Sequence, residues 1–210
     1  MDNLKELLTG APDRLRYVQR FSTVRVLHRE SVAEHSYYVA LIALAINRRP
    51  RVGPQSSYAV DEGELLRRAL VHDIEEALKG DAPRPFKHGN GETFAKQCHY
   101  AGQASAREVL YSVDRGQQRE HPGAPNELLD SWLHAKDRIT TVGCIIELAD
   151  FLAVLGYLLQ EKRCGNVGVY DHCKSMVAYR SRFQVDVFNG FRDVLQSADT
   201  LLKELYDEQK

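Results

Sequence analysis

The feature that most constrains this chain is a short run that reads as a buried helix yet carries ionisable groups. Residues 69–81 read ALVHDIEEALKGD, and their apolar side chains recur with helical spacing. His72 and Glu76 are four residues apart, so a helix places both on one side. Gly80 predicts the end of this helix, and the prolines after Asp81 predict a non-helical exit. The chain is therefore built around a helix that brings polar groups into an apolar setting.

The pair His72-Asp73 in this run has two interpretations. An imidazole beside a carboxylate, with Glu76 one turn further on, suits a divalent metal ion with a base next to it. The same two residues also occur together by chance, as a satisfied polar pair that takes no part in binding or catalysis. The choice between the two depends on the rest of the chain.

Helical periodicity extends along the chain, which shows no repeat, no glycine-rich phosphate loop and no alternating strand pattern. We therefore predict an all-α bundle of five to seven helices, in one domain that covers residues 1–210. The predicted helices are 2–19, 31–47, 61–79, 92–113, 126–163 and 170–206. A Ser31–Glu34 capping box opens the second helix and Asp61 caps the third, while Pro12 breaks the first and Gly143 is a candidate break in the fifth. In the last helix, Phe183, Val187 and Phe191 lie on one face. Residues 48–58 and 83–90 are predicted loops, and the polar segment 114–125 is predicted to be a mobile insertion.

Composition narrows the functional class. Of the 210 residues, 43% are apolar and 27% are charged, which is ordinary for a soluble globular protein. The formal net charge of −1 gives no basic field, so we expect no nucleic-acid partner. The N-terminus lacks the apolar core of a signal peptide, and the four cysteines form no C-x-x-C pair, so we expect reduced thiols and a cytoplasmic protein.

One stretch, residues 142–159, is apolar and nearly long enough to span a membrane. However, Glu147 and Asp150 lie inside it, which favours a buried core helix and no membrane association. A lone buried carboxylate costs several kcal/mol unless it is compensated. For Asp150, a helix cap after a kink or a salt bridge with an arginine would meet that cost, and so would a metal ion.

Ionisable side chains, which are unfavourable in the packed face of an apolar helix, thus occur at three separated places in the chain. They are His35, one turn into its helix, then His72-Asp73, then Asp150. A lone helical histidine is more often a packed or exposed residue than a ligand. Together, two histidines and two aspartates form a mixed nitrogen and oxygen donor set that suits Mn, Co, Ni, Fe or Zn.

The order of these groups resembles that of the HD-domain metal-dependent phosphohydrolases. The similarity is closer to one branch, the bacterial 5′-deoxynucleotidases. It covers residues 15–166 and rests on several blocks that occur jointly: Arg20-Phe21, Ser31-Val-Ala-Glu-His-Ser36, His72-Asp-Ile-Glu-Glu76, Gly80-Asp-Ala-Pro-Arg-Pro85, and the spacing from Asp150 to Gly165-Asn166. The resemblance implies an HD-type helical bundle and a nucleotide phosphohydrolase.

The resemblance also implies residue roles. One divalent ion (Co, Mn, Zn, Ni, Fe or Mg) would be held by His35, His72, Asp73 and Asp150. Glu76 would position or deprotonate the attacking water. Substrate contacts would come from Arg20, Phe21, Asp81, Ala82, Pro83 and Arg84, with Arg20 and Asp81 at the phosphate and leaving group.

Two positions depart from the pattern of these relatives. Phe21 stands where they carry tryptophan, a residue that crowds a ribose 2′-hydroxyl, so the preference for deoxyribose is weakened without being removed. Arg84 stands where they carry a small hydroxyl residue, and it adds a cation beside the phosphate site. A planar guanidinium there could grip a β- or γ-phosphate.

The first functional hypothesis is hydrolysis of deoxynucleoside 5′-monophosphates to deoxynucleoside and phosphate. An alternative on the same site is a dNTP triphosphohydrolase that releases triphosphate, which Arg84 favours. A second alternative, of a different class, is a metal-binding or nucleotide-sensing module without turnover, and a third is a helical interaction protein. By analogy with relatives we also expect a homo-oligomer, a dimer or higher.

Overall fold

The fold is built from α-helices, as predicted. The computed structural model describes residues 2–49, 60–81, 92–120 and 126–206. The α-helices in these ranges are Asp2–Thr9 (α1), Val32–Arg48 (α2), Glu62–Val71 (α3), Glu76–Lys79 (α4), Glu92–Glu120 (α5), Glu127–Leu133 (α6), Thr141–Arg163 (α7), Tyr170–Ser181 (α8) and Arg192–Tyr206 (α9). Shorter 3₁₀ segments are Pro12–Arg16, Val167–Val169 and Asp186–Phe191. The β structure of these ranges is one isolated antiparallel bridge between Gln19 and Ser31.

Helix α7 is the central element, and it packs against α2, α3, α8 and α9. It is long and apolar enough to cross a membrane, but most of its apolar window is buried by these neighbours. The two acids inside the apolar run are both compensated. Glu147 accepts two hydrogen bonds of 2.6 Å from the Arg138 guanidinium, and Asp150 belongs to the site described below. The prediction of a buried core helix is therefore confirmed.

Helix α2 begins at the predicted capping box. The Ser31 hydroxyl accepts from the Glu34 amide, and a Glu34 carboxylate oxygen accepts from the Ser31 amide at 2.7 Å. This fixes the rotation of the helix, so that His35, Val39 and Ala43 all point inwards and are fully buried.

The predicted helix 61–79 begins at its Asp61 cap but is divided into α3 and α4 by a turn over residues 72–75. The cause is His72, whose Nδ1 lies 2.6 Å from the carbonyl oxygen of Ala69. In a continuous α-helix that carbonyl would accept from the Asp73 amide. The turn instead closes with tighter bonds between residues three apart, such as the Glu76 amide to the Asp73 carbonyl at 3.1 Å. The prediction that His72 and Glu76 share one uninterrupted helix is therefore wrong.

Helix α5 is longer than predicted. The segment 114–125 was predicted to be a mobile insertion, but α5 continues to Glu120. Arginine, glutamine and glutamate are good helix formers, and they outweigh the single Gly116 in residues 114–120. Residues 121–125 lie outside the described ranges, as do most of the predicted loop 48–58 and the predicted loop 83–90.

The predicted helix 126–163 is divided by a turn over residues 134–140, just ahead of the candidate break at Gly143. Gly143 explains how the turn fits. A Cβ atom at this position would lie 2.0 Å from the carbonyl oxygen of Asp137, so only glycine lets the turn lie flat against the first turn of α7. The break therefore lies where the chain folds back, and the glycine is the contact point.

The predicted helix 170–206 is also divided, at residues 182–191. Phe183, Phe188 and Phe191 turn into the core there, with ring centroids 4.8 Å apart for the first two. Val187, which was predicted to share their face, is instead half exposed. Aromatic packing decides the local conformation, because a continuous helix would not bury all three rings together.

The buried apolar residues form two clusters. The larger one surrounds α7, and the smaller one lies beneath α4, α5 and the first 3₁₀ segment. The two clusters meet along the chain at the polar motifs. Val32 belongs to the smaller cluster and Val39 to the larger, with His35 between them. Ala69 and Ile74 flank His72-Asp73 in the same way. His35 and the His72-Asp73 pair therefore lie at the boundary between the two apolar clusters.

Glu161, near the end of α7, fastens the loop of residues 20–30 to the core. Its buried carboxylate accepts from the backbone amides of Leu27 at 2.6 Å and His28 at 2.7 Å, and from the side-chain amide of Asn166 at 2.6 Å. The Tyr157 hydroxyl also donates to the His28 carbonyl. Burial opposes the charge of Glu161, but these N–H donors lower its pKa below the usual value.

We expect Gly143→Ala to destabilise the protein by about 3 kcal/mol, because its Cβ would overlap backbone atoms that cannot move aside. Urea unfolding followed by circular dichroism would measure this. Gly156→Ala in the same helix is the control, since a Cβ at Gly156 meets nothing within 4 Å. That variant should be neutral or more stable by up to about 1 kcal/mol. Equal stability of the two variants would contradict this account of the turn.

Glu161→Gln should lower stability at pH 7 by about 1–3 kcal/mol, because an amide group would face several buried N–H donors. The lowered pKa means that the carboxylate stabilises the fold above its unfolded pKa and loses this effect as the pH falls. The difference from wild type should therefore shrink when unfolding is repeated at about pH 3. Glu204→Gln, at an exposed pair with Arg163, should cost under about 1 kcal/mol. A difference that grows on acidification would refute the assignment.

Candidate active site

The site is centred on a contact between two helices. His35 projects from the first turn of α2 and Asp150 from the middle of α7, and His35 Nε2 lies 3.0 Å from Asp150 Oδ1. Both side chains are buried. Burial, reinforced by the nearby Arg20 guanidinium, lowers the pKa of His35 to about 3, although Asp150 opposes this shift. His35 is therefore neutral at pH 7, as a histidine must be to bind a metal.

His72 and Asp73 enter the site from the turn between α3 and α4. The Ala69 carbonyl can only accept, so His72 donates from Nδ1, which leaves Nε2 as the ring nitrogen that faces the site. Nε2 is buried without a hydrogen-bond partner and lies 3.1 Å from Asp73 Oδ2. A buried nitrogen that makes no hydrogen bond is costly in a plain core, and it is the form in which histidine coordinates a metal.

Donor atoms of His35, His72 and Asp73 all lie within 4.8 Å of one another, and Asp150 adjoins them through His35. The structure therefore brings together the four residues that the sequence singled out. Two imidazoles and two carboxylates fit a divalent transition metal in their chemistry. The unpartnered His72 Nε2 supports this fit independently of the donor types.

Glu76 lies beside this group. Donor oxygens of Asp73, Glu75 and Glu76 lie within 4.8 Å of one another, and Glu76 is buried at the start of α4. The Glu75 carboxylate has structural partners, since it accepts a hydrogen bond from Trp132 Nε1 at 2.7 Å and forms an ion pair with Lys79 at 3.1 Å. Both glutamates therefore lie near Asp73, but Glu75 is held by Trp132 and Lys79.

Arg20 places a guanidinium at the edge of the group. Its Nε and Nη1 atoms are buried without hydrogen-bond partners, and its nearest carboxylate atom is Glu30 Oε2 at 3.7 Å. Burial opposes its charge, but the carboxylates around it, those of Asp150, Asp73, Glu30 and Asp81, raise its pKa. An ionised guanidinium with unused donors suits a phosphate group.

Phe21 follows Arg20 in an unusual backbone conformation, with φ at 55°. This left-handed region costs a residue with a bulky side chain about 1 kcal/mol or more, and such strain concentrates at functional sites. The Phe21 ring stacks on Tyr157 with centroids 4.9 Å apart and planes 6° from parallel. The strained backbone and this stacking together fix the ring next to the guanidinium.

The exit from α4 is described only in part. Gly80 caps the helix with φ at 74°, as predicted, and Asp81 lies near enough to Arg20 to act on its charge. The remaining predicted substrate contacts, Ala82, Pro83 and Arg84, lie outside the described residues. Their roles stay predictions.

Sequence reasoning missed three residues of the site: Lys136, Tyr179 and Glu30. Lys136 reaches Asp150 Oδ2 at 2.8 Å from the turn before α7, so the partner of this acid is a lysine, not an arginine. The Tyr179 hydroxyl donates to the same oxygen at 3.1 Å. No motif marks Lys136 and Tyr179, because they come from segments that meet the site only in the folded chain. Glu30 directly precedes the Ser31 block, and it meets Arg20 across the loop of residues 20–30.

The chain is similar in sequence to proteins of known family. A family model described as 5′-deoxynucleotidase YfbR-like matches residues 9–195. A 5′-deoxynucleotidase of Vibrio cholerae is 27% identical over 158 residues, which are 73% of each chain. The 5′-deoxynucleotidase YfbR of Salmonella arizonae is 29% identical over 158 residues, 73% of this chain and 71% of the relative.

Solved structures share the fold. An HD-domain phosphohydrolase of Listeria innocua superposes with a TM-score of 0.63 at 20% identity, covering 98% of this chain and 99% of that one. A protein of Pyrococcus horikoshii gives a TM-score of 0.68 at 17% identity, covering 94% and 99%. The helical fold is thus that of the HD-domain proteins, and, with the family match over residues 9–195, the chain belongs to the YfbR-like 5′-deoxynucleotidase family.

Proposed function

We propose that this protein is a metal-dependent phosphohydrolase that converts deoxynucleoside 5′-monophosphates to deoxynucleosides and phosphate. The observation that carries the proposal is the juxtaposition of a buried His/Asp donor group with a buried guanidinium whose N–H donors lack partners. One part suits a divalent cation and the other suits a phosphate. The family match and the relatives named 5′-deoxynucleotidase support the same reaction.

In this proposal His35, His72, Asp73 and Asp150 hold one divalent ion. When bound, the ion would lower the pKa of a water molecule and neutralise phosphoryl oxygens. The chain's own contribution is a rigid donor set, since His35 lies on α2, His72 directly follows α3, and these two helices pack against each other. His35 is neutral at pH 7, so it needs no deprotonation before it binds a metal.

The remaining groups act on the substrate. Glu76 accepts the proton of the attacking water, whose oxygen forms a bond to phosphorus as the bond from phosphorus to the 5′-oxygen breaks. Arg20 holds phosphoryl oxygens with the N–H groups that lack partners in the protein. Asp81 lies near enough to Arg20 to act on its charge, and it would pass a proton to the departing 5′-oxygen, so that the deoxynucleoside leaves with a 5′-hydroxyl. Phe21 would lie against the sugar, where its ring leaves less room for a 2′-hydroxyl.

A triphosphohydrolase is the alternative on the same site, and Arg84 is the residue that motivates it. Incubation with dNMP and dNTP, with the products identified, separates the two. Release of triphosphate from dNTP with inert dNMP would reject the monophosphatase. Tight nucleotide binding without turnover, under Co, Mn, Ni, Zn, Fe and Mg, would instead support a sensing module.

A cytoplasmic location and homo-oligomer formation stay predictions of this proposal.

The metal set predicts that Asp150→Asn will lose bound metal and reduce kcat/KM on dNMP by about 100-fold or more. Metal per chain by mass spectrometry and phosphate release are the two measurements. Glu147→Gln is the control, since it alters a buried acid on the same helix that pairs with Arg138 and not with a candidate ligand. The control should be less stable but keep its metal. Full metal content in Asp150→Asn would show that this acid is structural.

Glu76→Gln should retain metal and nearly the same KM, while kcat falls by about 10²–10⁴-fold because the water loses its proton acceptor. Steady-state kinetics on dNMP measure this separation. Glu75→Gln is the matched neighbour: it weakens the bonds to Trp132 and Lys79, and should change stability more than kcat. A wild-type kcat in Glu76→Gln would remove Glu76 from the mechanism.

A further inference from the structure

Lys136 stands outside the motif-bearing helices, yet its ammonium lies between the two site aspartates. Nζ is 2.8 Å from Asp150 Oδ2 and 3.5 Å from Asp73 Oδ1. The side chain is one-third exposed, at 33%, whereas that of Asp150 is buried. A lysine that reaches inwards to two acids from a surface turn gives up much side-chain freedom, so its position calls for an explanation.

The two oxygens of each aspartate are divided between different partners. Asp150 directs Oδ1 to His35 and Oδ2 to Lys136, while Asp73 directs Oδ2 to His72 and Oδ1 to Lys136. Each carboxylate thus has an inner oxygen that faces a histidine and an outer oxygen that faces the lysine. The Tyr179 hydroxyl donates to the same outer oxygen of Asp150 at 3.1 Å, from α8.

We propose that Lys136 and Tyr179 are positioning residues, which hold the outer oxygens of Asp73 and Asp150 so that the inner oxygens point to the metal. This inference rests on the proposed function. Two carboxylates close together repel each other and would rotate apart without a cation between them. Partners that orient metal ligands in this way commonly change metal affinity 10–100-fold when they are removed. Neither residue need contact the substrate.

The position of Lys136 follows from the turn at residues 134–140. That turn lies against α7 at Gly143, and Thr140 bonds back to the Asp137 carbonyl at 3.1 Å. Arg68 also donates to the carbonyl of His134 at 2.9 Å. Contacts on both sides of Lys136 thus hold the backbone that carries it, so the ammonium is directed by the fold and not by its own flexibility.

The test is a Co²⁺ titration of the full chain, followed by calorimetry and by visible absorption, which reports the coordination geometry. Lys136→Met should bind Co²⁺ at least tenfold more weakly and with a changed spectrum. Tyr179→Phe, which removes one hydroxyl, should show a smaller change in the same direction. It keeps the inference testable if Lys136→Met does not fold.

Lys162→Met is the matched control. Lys162 is a buried lysine that donates to the carbonyls of Glu204 and Leu205 and not to a candidate ligand. It should lose stability and keep the wild-type affinity and spectrum. Equal losses of Co²⁺ affinity in both lysine variants would overturn the inference. Wild-type or tighter Co²⁺ binding by Lys136→Met would also overturn it, since the ammonium would then only compete with the metal.

If the wild-type protein binds Co²⁺ but hydrolyses no nucleotide, the proposed function fails while this inference stands.

Discussion

The structure depends on the burial of one negative charge, that of Asp150, in the most apolar helix of the chain. A carboxylate in such surroundings costs several kcal/mol unless opposite charge and hydrogen bonds compensate it. Compensation comes from three different segments, through His35, Lys136 and Tyr179. The need to satisfy one side chain therefore brings α2, α8 and the turn before α7 to the same point.

Much of the molecule could be predicted because local rules decide it. The Ser31 capping box, the Asp61 cap and the Gly80 stop are each set by a few neighbouring residues, and all three are present. The candidate ligands could be predicted for another reason. Histidine and aspartate are out of place on apolar helix faces, so they are visible in the sequence before any contact is known.

The remainder was decided by contacts between distant parts of the chain. Lys136 reaches the site from a surface turn, so nothing in its sequence neighbourhood distinguishes it from a solvated lysine. The helix breaks at 134–140 and 182–191 depend on the close approach at Gly143 and on the packing of three phenylalanine rings. The break at 72–75 has a local cause, but it is a side chain competing for a backbone carbonyl, which helical periodicity does not register.

The bond from His72 to the Ala69 carbonyl has a consequence for transplanting the site. The His72 imidazole lies at the end of helix α3, and its buried Nε2 is the nitrogen that a metal would use. A His-Asp pair grafted into an uninterrupted helix would have to share that carbonyl with a backbone amide, which weakens the contact that directs the proton to Nδ1. A designer who wishes to move this site to another scaffold must therefore copy the end of a helix along with the ligands.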